Sequence, residues 1–585
     1  MRHRLDTTHS PSSSPEAVRA AGRRGAGAPP AEARLIKEKK MRTWSLLALA
    51  LSGLLVAGEL SSADAAADKD TLVIALDTLG AQVMDPIMDT RAPHAHYHAP
   101  IWDSLVGFDL ENGGIGPGAA ERWELASDGK SWTFYLRKGQ RFHNGDPVTA
   151  NDVKFSLERV MSPESISSGA AALRRAVDRI EVVDDLTVRV YTKGVIPQFA
   201  ASLSRAVFME GSVMPKKYIE TVGARGFRDK PVGSGPWKFV RSVPGDRIEY
   251  EAVTYPHWRG TPQFKRLTLL LVPEQSTRLA MVRTGEAAIA SIGPEAVKEA
   301  RAGGMKIVSV PGTMQAVYQF WGLYRPEAKA SPLNDVRVRE ALSLAIDRQQ
   351  IIDHVMVKEA RWPMPFAAFK YSSDMTVPRW EDWARTALRY DPARAKQLLA
   401  EAGHGSGFKM TFWNTALPGT PFMVPIGEAV AGFWEKIGVK VEMKTVEWGA
   451  FDPMGRGEQK GLVGTASMYR TAGRPEPIPR YATTFVSKGV QHVFGDPQSC
   501  PALCVDADKA YEAIVAEKDD AKRTAATNRM IELVAKSWIA VPIVEGMGTW
   551  AVNPKSVGYF KPIPGRHEFG DVTERMPRPE AKPWP

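Results

Sequence analysis

Cysteine is almost missing from this chain: Cys500 and Cys504 are the two in 585 residues. Two are too few for a disulfide-built scaffold, and no Cys/His pair close in sequence completes a four-ligand zinc site. Long apolar runs are also lacking. One stretch near the N-terminus approaches membrane-spanning length, which excludes a polytopic membrane protein. The phosphate loop G-x-x-x-x-G-K-[ST], the H-E-x-x-H pattern and the G-x-S-x-G turn are absent. An exported hydrolase, the enzymatic alternative, therefore has no signature to stand on. No fixed-period repeat is visible, which removes solenoids and propellers.

What is present is a globular composition, with 44% hydrophobic and 24% charged residues and a net charge of +10. Ten Lys/Arg against six Asp/Glu fall within residues 1–67, leaving +6 for the remainder, spread without a basic run. Nucleic acid is a poor partner for that distribution. Residues 1–40, rich in Ser, Pro, Ala and Arg, read as disorder or as sequence ahead of the true start. Residues 41–67 combine Arg42, the apolar run Trp44–Ala57 and Ala-x-Ala exits near Ala67. This is the pattern of a secretory signal peptide. No cysteine stands directly after the cleavage site, so the expectation is a periplasmic protein that is not a lipoprotein.

From residue 68 on, the pattern alternates between strand and helix. Thr71–Leu76, Trp132–Arg137, Thr187–Tyr191, Leu267–Val272, Met410–Trp413 and Val439–Val446 read as strands. Arg91–Leu105, Ala150–Val160, Gln275–Thr284, Asp335–Ile346, Pro392–Ala402, Pro425–Lys436 and Thr524–Ser537 read as helices, Thr149 and Asp391 being cap signals. The class is α/β in two lobes. Cys500 and Cys504, with three residues between them in an exported chain, are expected to form a disulfide.

Three blocks carry a resemblance. They are Glu121-Arg122-Trp123 with Asp128–Gly139 (DGKSWTFYLRKG), Phe142–Ser156 (FHNGDPVTANDVKFS), and Pro231–Trp237 (PVGSGPW). With Asp335–Ala341, Ala400–Gly403 and Trp434–Val441, they resemble family 5 extracellular solute-binding proteins over about residues 70–565. These are the peptide, nickel and opine receptors of ABC importers. The resemblance implies a two-lobed periplasmic binding protein (type II-like, cluster C) that closes about a hinge. Lobe I would comprise 68–310, with an extra subdomain at about 112–230 and a return segment 547–585. Lobe II would comprise 311–546. It further implies a monomer that captures a small organic solute, catalyses nothing, needs no cofactor, and delivers to permease subunits at the inner membrane. A metal-chelate (nickel-type) receptor is the alternative within the family.

The resemblance also points to a cleft. Dipeptide-binding members carry an amine-binding Asp in a stretch that here reads Met468–Pro475, and Thr471 stands at its place. Arg474 replaces a second acid, and Arg470 immediately precedes Thr471. A hydroxyl cannot neutralise a buried ammonium, and arginines repel one. The preferred ligand is therefore neutral or anionic with an apolar body, a peptide-like solute held through backbone hydrogen bonds being the alternative. Trp321, Trp413, Trp448 and Tyr469 fall at segment ends expected to line the cleft, and Gln82 lies on the loop after the first strand. His94, His96 and His98 invite a metal reading, but no fourth ligand is indicated, and the expectation is a packed helix with no metal.

Overall fold

The β-branched run Thr71–Leu76 forms β1, with the bounds its pattern predicts. In this computed structural model the described residues are 68–585 apart from 89–91, 110–113, 168, 206–209, 371, 373, 417–419, 421, 456–460, 474–476, 488, 490–492, 494–501 and 564–571. The side chains of 92–95, 416, 448, 449 and 452 are also not described. The leader 1–40 and signal peptide 41–67 lie outside the described residues.

The strands that follow are β2 (Val106–Phe108), β3 (Ile115–Pro117), β4 (Ala120–Leu125), β5 (Ser131–Leu136), β6 (Val177–Asp184), β7 (Thr187–Thr192), β8 (Trp237–Val243) and β9 (Arg247–Ala252). After them come β10 (Arg266–Leu271), β11 (Ile289–Ile292), β12 (Lys306–Trp321), β13 (Ala360–Arg361), β14 (Lys409–Ala416), β15 (Lys440–Glu447), β16 (Thr465–Ala472) and β17 (Ala540–Val552). One large mixed sheet runs β15-β14-β16-β12-β17-β11-β1-β10-β9-β8, with β13 also on β17. A separate antiparallel sheet, β4-β5-β7-β6, comes from within residues 120–192.

The apolar core is divided. One cluster draws every member from Met314–Val544. The other takes Leu72–Val310 and then returns for Trp550–Met576, with a satellite around Leu279–Met305. β12 and β17 thread both. Lys306–Val310 pair with Val552–Gly548 on the first-core side, and Met314–Gln319 pair with Gly546–Ala540 on the second-core side. The register breaks between Val310 and Met314, where Gly312 adopts φ +72°. An L side chain rarely adopts that conformation, so glycine suits the position.

The signature motifs explain themselves as scaffold. Thr149 and Asp152 form a reciprocal capping box that starts the helix Ala150–Met161. In the P-V-G-S-G-P-W turn, a Cβ at Gly233 would sit 2.1 Å from the Ile101 carbonyl oxygen, and one at Gly235 2.4 Å from that of Pro100. His143 clamps the turn, receiving the Gly233 N–H on Nδ1 and donating from Nε2 to the Gly235 carbonyl at 2.9 Å. That pattern needs the neutral ring. Burial supplies it, lowering the His143 pKa to about 4 against the smaller opposing effect of the Gly235 carbonyl. Ser234 donates to Asp103, a fully buried acid that also accepts from Gln140 at 2.8 Å. Burial pushes Asp103 up, but His257, Arg259 and Arg205 outweigh it and hold the carboxyl below its usual range. Arg259 in turn donates to Glu574 at 3.0 Å, tying the C-terminal return into the first core.

The structure differs from the sequence expectation mainly in strand length. Ile539–Val544 alone reads as apolar, yet β17 continues to Val552 through Glu545, Gly546 and Gly548. It does so because the ladder is filled on both edges, by β12 and by β13 and β11. The helix expected from Thr524 begins at Asp520, because Asp519 caps it through the Lys522 N–H at 2.8 Å. The helix expected over Arg91–Leu105 is Ala92–Ile101.

Candidate functional site

The two cores part where β12 and β17 change register. Side chains alternate along a strand and stay in step across paired strands, so the ladder assigns each residue to a face. Thr471 of β16 pairs with Gln315 of β12, Gln315 with Glu545 of β17, and Glu545 with Arg361 of β13. These residues form one lateral row, the second on the second-core side of the break, after the row of Met314 and Gly546. The same face carries Tyr469 and Ser467 of β16, Gln319 and Trp321 of β12, and Trp413 of β14.

The face is polar where a core would be apolar. Gln315, Gln319, Ser467, Thr471 and Glu545 are all buried. Gln315 is well supplied: its amide donates to the Ala368 carbonyl at 2.7 Å and accepts from the Ala367 N–H at 2.9 Å. It thereby ties the segment 364–368 over the row. By contrast the Gln319 amide, the Trp413 indole N–H and Glu545 Oε2 have no partner. Buried polar atoms in native proteins are nearly always paired, with protein groups, water or ligand, and this is what makes the cluster the candidate site. Burial raises the Glu545 carboxyl to about 7, against the weaker opposing pull of Arg361 and Lys370.

The structure brings four expected residues to this face and separates others from it. Trp321, Trp413, Tyr469 and Thr471 share it. Trp321 is fully buried, donates to Ser467 Oγ at 2.9 Å, and packs edge-on against Phe451 and Tyr469. Trp413 is half-buried beneath the Lys444 ammonium. Arg470 pairs opposite Ala316 and so points away from Thr471, to the other face. Gln82, half-buried, spans the β8–β9 turn away from this face, donating to the Val243 carbonyl at 3.2 Å and accepting from Gly245 at 2.6 Å. Trp448 opens the helix Trp448–Met454, but its side chain is not described, and Arg474 lies outside the described residues.

Two residues on or beside the face escape sequence reasoning. Arg480 holds its guanidinium 4.7 Å from the Tyr469 ring centre and 5.8 Å from that of Phe366. Glu545 sits inside β17. Nothing in local spacing marks either one. The one signal for Glu545 is a lone acid following an apolar strand.

The family model for bacterial extracellular solute-binding proteins, family 5 (middle), matches residues 114–490. The chain belongs to that family. Among curated relatives it is similar to the heme-binding protein A of Haemophilus influenzae, 30% identical over 375 residues, which is 60% of this chain and 65% of that one. It is similar also to the dipeptide-binding protein of Escherichia coli, 26% identical over 81% of this chain and 89% of the relative. Among solved structures, the ABC transporter substrate-binding protein CtaP of Listeria monocytogenes superposes with a TM-score of 0.72 at 20% identity. That match covers 87% of this chain and 99% of that one. The fold of the family is the two-lobed one, and the divided core is its expression here.

Two histidines of the run are buried among first-core residues. His98 is buried, with Nε2 2.8 Å from the Val83 carbonyl, and His96 packs edge-on against Trp550. The side chain of His94 is not described, and no described group of His, Cys, Asp and Glu gathers as a metal site. Cys504 is buried and disulfide-bonded, while Cys500 lies outside the described residues.

Proposed function

We propose that this protein is the solute-binding receptor of an ABC importer, taking a small organic solute between two lobes and delivering it to permease subunits. Residues 68–310 with the return 547–585 form lobe I, and 311–546 form lobe II. The observation that carries this is the divided core threaded by two strands, together with membership of the solute-binding family. A pair of crossing strands is a hinge, and ligand contacts made only when the lobes meet shift the population toward closure.

The solute has an apolar or aromatic body, for which Trp413 and Tyr469 supply rings beside unpaired polar atoms. Thr471 gives no charge to bind an ammonium, and Arg470, on the opposite face, gives none to a carboxylate bound there. The protein is exported by residues 41–67, acts as a monomer in the periplasm, and turns nothing over. Among the described residues no helix is long and apolar enough to cross a membrane.

Small-angle scattering with and without the solute tests the reading, with native mass spectrometry of the untreated protein to identify what co-purifies. A bound small molecule and a smaller radius of gyration in its presence are expected. Saturable binding with no compaction would overturn hinge closure, and conversion of the bound molecule would overturn the receptor.

A further inference from the structure

Two neighbouring side chains occupy a backbone conformation that suits glycine. Val357 adopts φ +49° and Lys358 φ +65°. A β-branched residue in the left-handed region is strained. Burial does not compensate for it, because Val357 is 44% exposed. Such strain persists only where the surrounding structure holds both ends of the segment. The near end is held by the second core, in which Ile351, Ile352 and Met356 are buried. The Met356 N–H donates to the Ile351 carbonyl at 3.0 Å at the close of the π-helix Ile351–Val355, and the Lys358 N–H donates to the Ile352 carbonyl at 2.8 Å.

The far end is held by the first core. Glu359 is buried, and its carboxylate pairs with Arg301 at 3.3 Å and accepts from Ser309 Oγ at 3.3 Å. Arg301 lies on the helix Val297–Ala302, which packs in the satellite around Leu279–Met305. Ser309 stands on β12 between Val308 and Val310 of the first core, on the far side of the break at Gly312. Directly after Glu359, β13 pairs Ala360 and Arg361 with Gly546 and Glu545 of β17, on the second-core side. Residues 356–361 therefore make a third link between the cores, beside β12 and β17. This link is closed by an ion pair rather than by continuous backbone.

We propose that residues 356–361 are a strained clasp that sets the balance between parted and approached lobes. The Glu359–Arg301 pair holds the approached arrangement, and the left-handed pair Val357–Lys358 stores strain that is released when the ion pair breaks. This rests on the two-lobed receptor reading above and goes beyond it. Residues outside the polar face then tune affinity for every solute, through the fraction of protein already in the binding-competent arrangement. The two effects sit within three residues and have opposite signs. Removing the strain while keeping Glu359 enlarges the approached population; removing the ion pair shrinks it.

Pulsed electron paramagnetic resonance on the mature protein tests this without any solute. Spin labels are carried by Val240→Cys in the first lobe and Tyr390→Cys in the second, both exposed positions, while the native Cys504 is disulfide-bonded and takes no label. Val357→Gly should raise the ratio of short to long label distances about fivefold, and Val357→Asn, which enters the left-handed region more easily than valine, by less. Glu359→Gln and Arg301→Ala should each lower that ratio about two- to threefold, and the double variant no further than either single one. Because the two sets move in opposite directions, one of them stays readable whatever the wild-type balance. Where wild type shows both distances, failure of either set to shift overturns the clasp and leaves the hinge intact, as does a shift of both sets in one direction. A single distance in wild type and in every variant tells against the hinge reading as well. Urea denaturation establishes that each variant is folded.

Discussion

Asp374 accepts a hydrogen bond from Gln198 across the boundary between the two cores, while Arg523 holds both of its carboxylate oxygens at 3.2 Å. Gln198 immediately precedes Phe199 and Ala200 of the first core, and Arg523 shares its helix with Met530, Ile531 and Val534 of the second. Asp374 adopts φ +57°, a strained conformation for a residue with a side chain. A second bridge runs from Lys518 Nζ to the Ser127 carbonyl at 2.8 Å. In the proposed receptor, contacts of this kind form only when the lobes are together, and they would set how much of the closed state exists before ligand arrives.

Gln198→Ala should therefore weaken solute binding without touching the solute. Loss of one hydrogen bond is worth roughly 0.5–1.5 kcal/mol, so the dissociation constant should rise about two- to tenfold. The ligand-free radius of gyration should increase in scattering. An unchanged dissociation constant with an unchanged radius would show that this contact does not bias closure.

Glu545 makes stability depend on pH with a definite sign. Burial raises its folded value to about 7 from an ordinary 4.5, so the native state keeps a proton that the unfolded chain gives up. That contribution is fully present below about pH 4.5 and is lost as pH rises through 7. His143 runs the other way: its folded value is lowered to about 4 from 6.5, and its contribution is lost as pH falls through that interval. Comparing Glu545→Gln with wild type at each pH cancels the histidine. Urea denaturation should show the variant gaining about 2–3 kcal/mol relative to wild type between pH 5 and pH 8. A parallel pair of stability curves would mean the carboxyl is not buried in solution.

Much of the scaffold was legible because its signals are local. The capping box at Thr149, the N-cap at Asp391, the turn glycines and the alternation in Trp132–Leu136 each act within a few residues, and each element forms close to its expected bounds. The site was not legible in the same way. Arg470 and Thr471 are adjacent in sequence, so the pattern placed them together, but a strand sends neighbours to opposite faces. Glu545 and Thr471 are 74 residues apart and meet only through the β16-β12-β17 ladder. Register between distant strands is set by packing and bulges rather than by short-range pattern.

The disulfide gives a separate test. Cys504 lies in the helix Ala502–Ala516 and is buried against the second core. Pairing with Cys500 closes a very short loop, so the stabilisation is near the low end for disulfides, about 2 kcal/mol. Intact mass of the non-reduced mature protein should be two hydrogens below the reduced form. The Cys500→Ser variant should unfold at lower urea. Two alkylatable thiols in protein taken directly from the periplasm would remove the bond from the description.

The turn at Gly233 and Gly235 offers the sharpest separation of sterics from backbone strain. Neither position needs a left-handed conformation, but a methyl group at Gly233 would lie 2.1 Å from a backbone oxygen of Ile101, and one at Gly235 2.4 Å from that of Pro100. Backbone on one side and the His143 clamp on the other leave little room to yield, so Gly233→Ala should cost about 3 kcal/mol, at the upper end for overpacking. Gly245 is the opposite case: φ is +73° and nothing lies within 4 Å of an added Cβ. There the cost is conformational alone, about 1–2 kcal/mol. In urea, Gly233→Ala should bring forward the transition of the first core, followed by near-ultraviolet signal from Trp102 and Trp237, both buried there. The second core, reported by Trp321 and Trp434, should unfold as in wild type. Equal costs at Gly233 and Gly245 would mean that the turn does not press against the helix Ala92–Ile101 as closely as described.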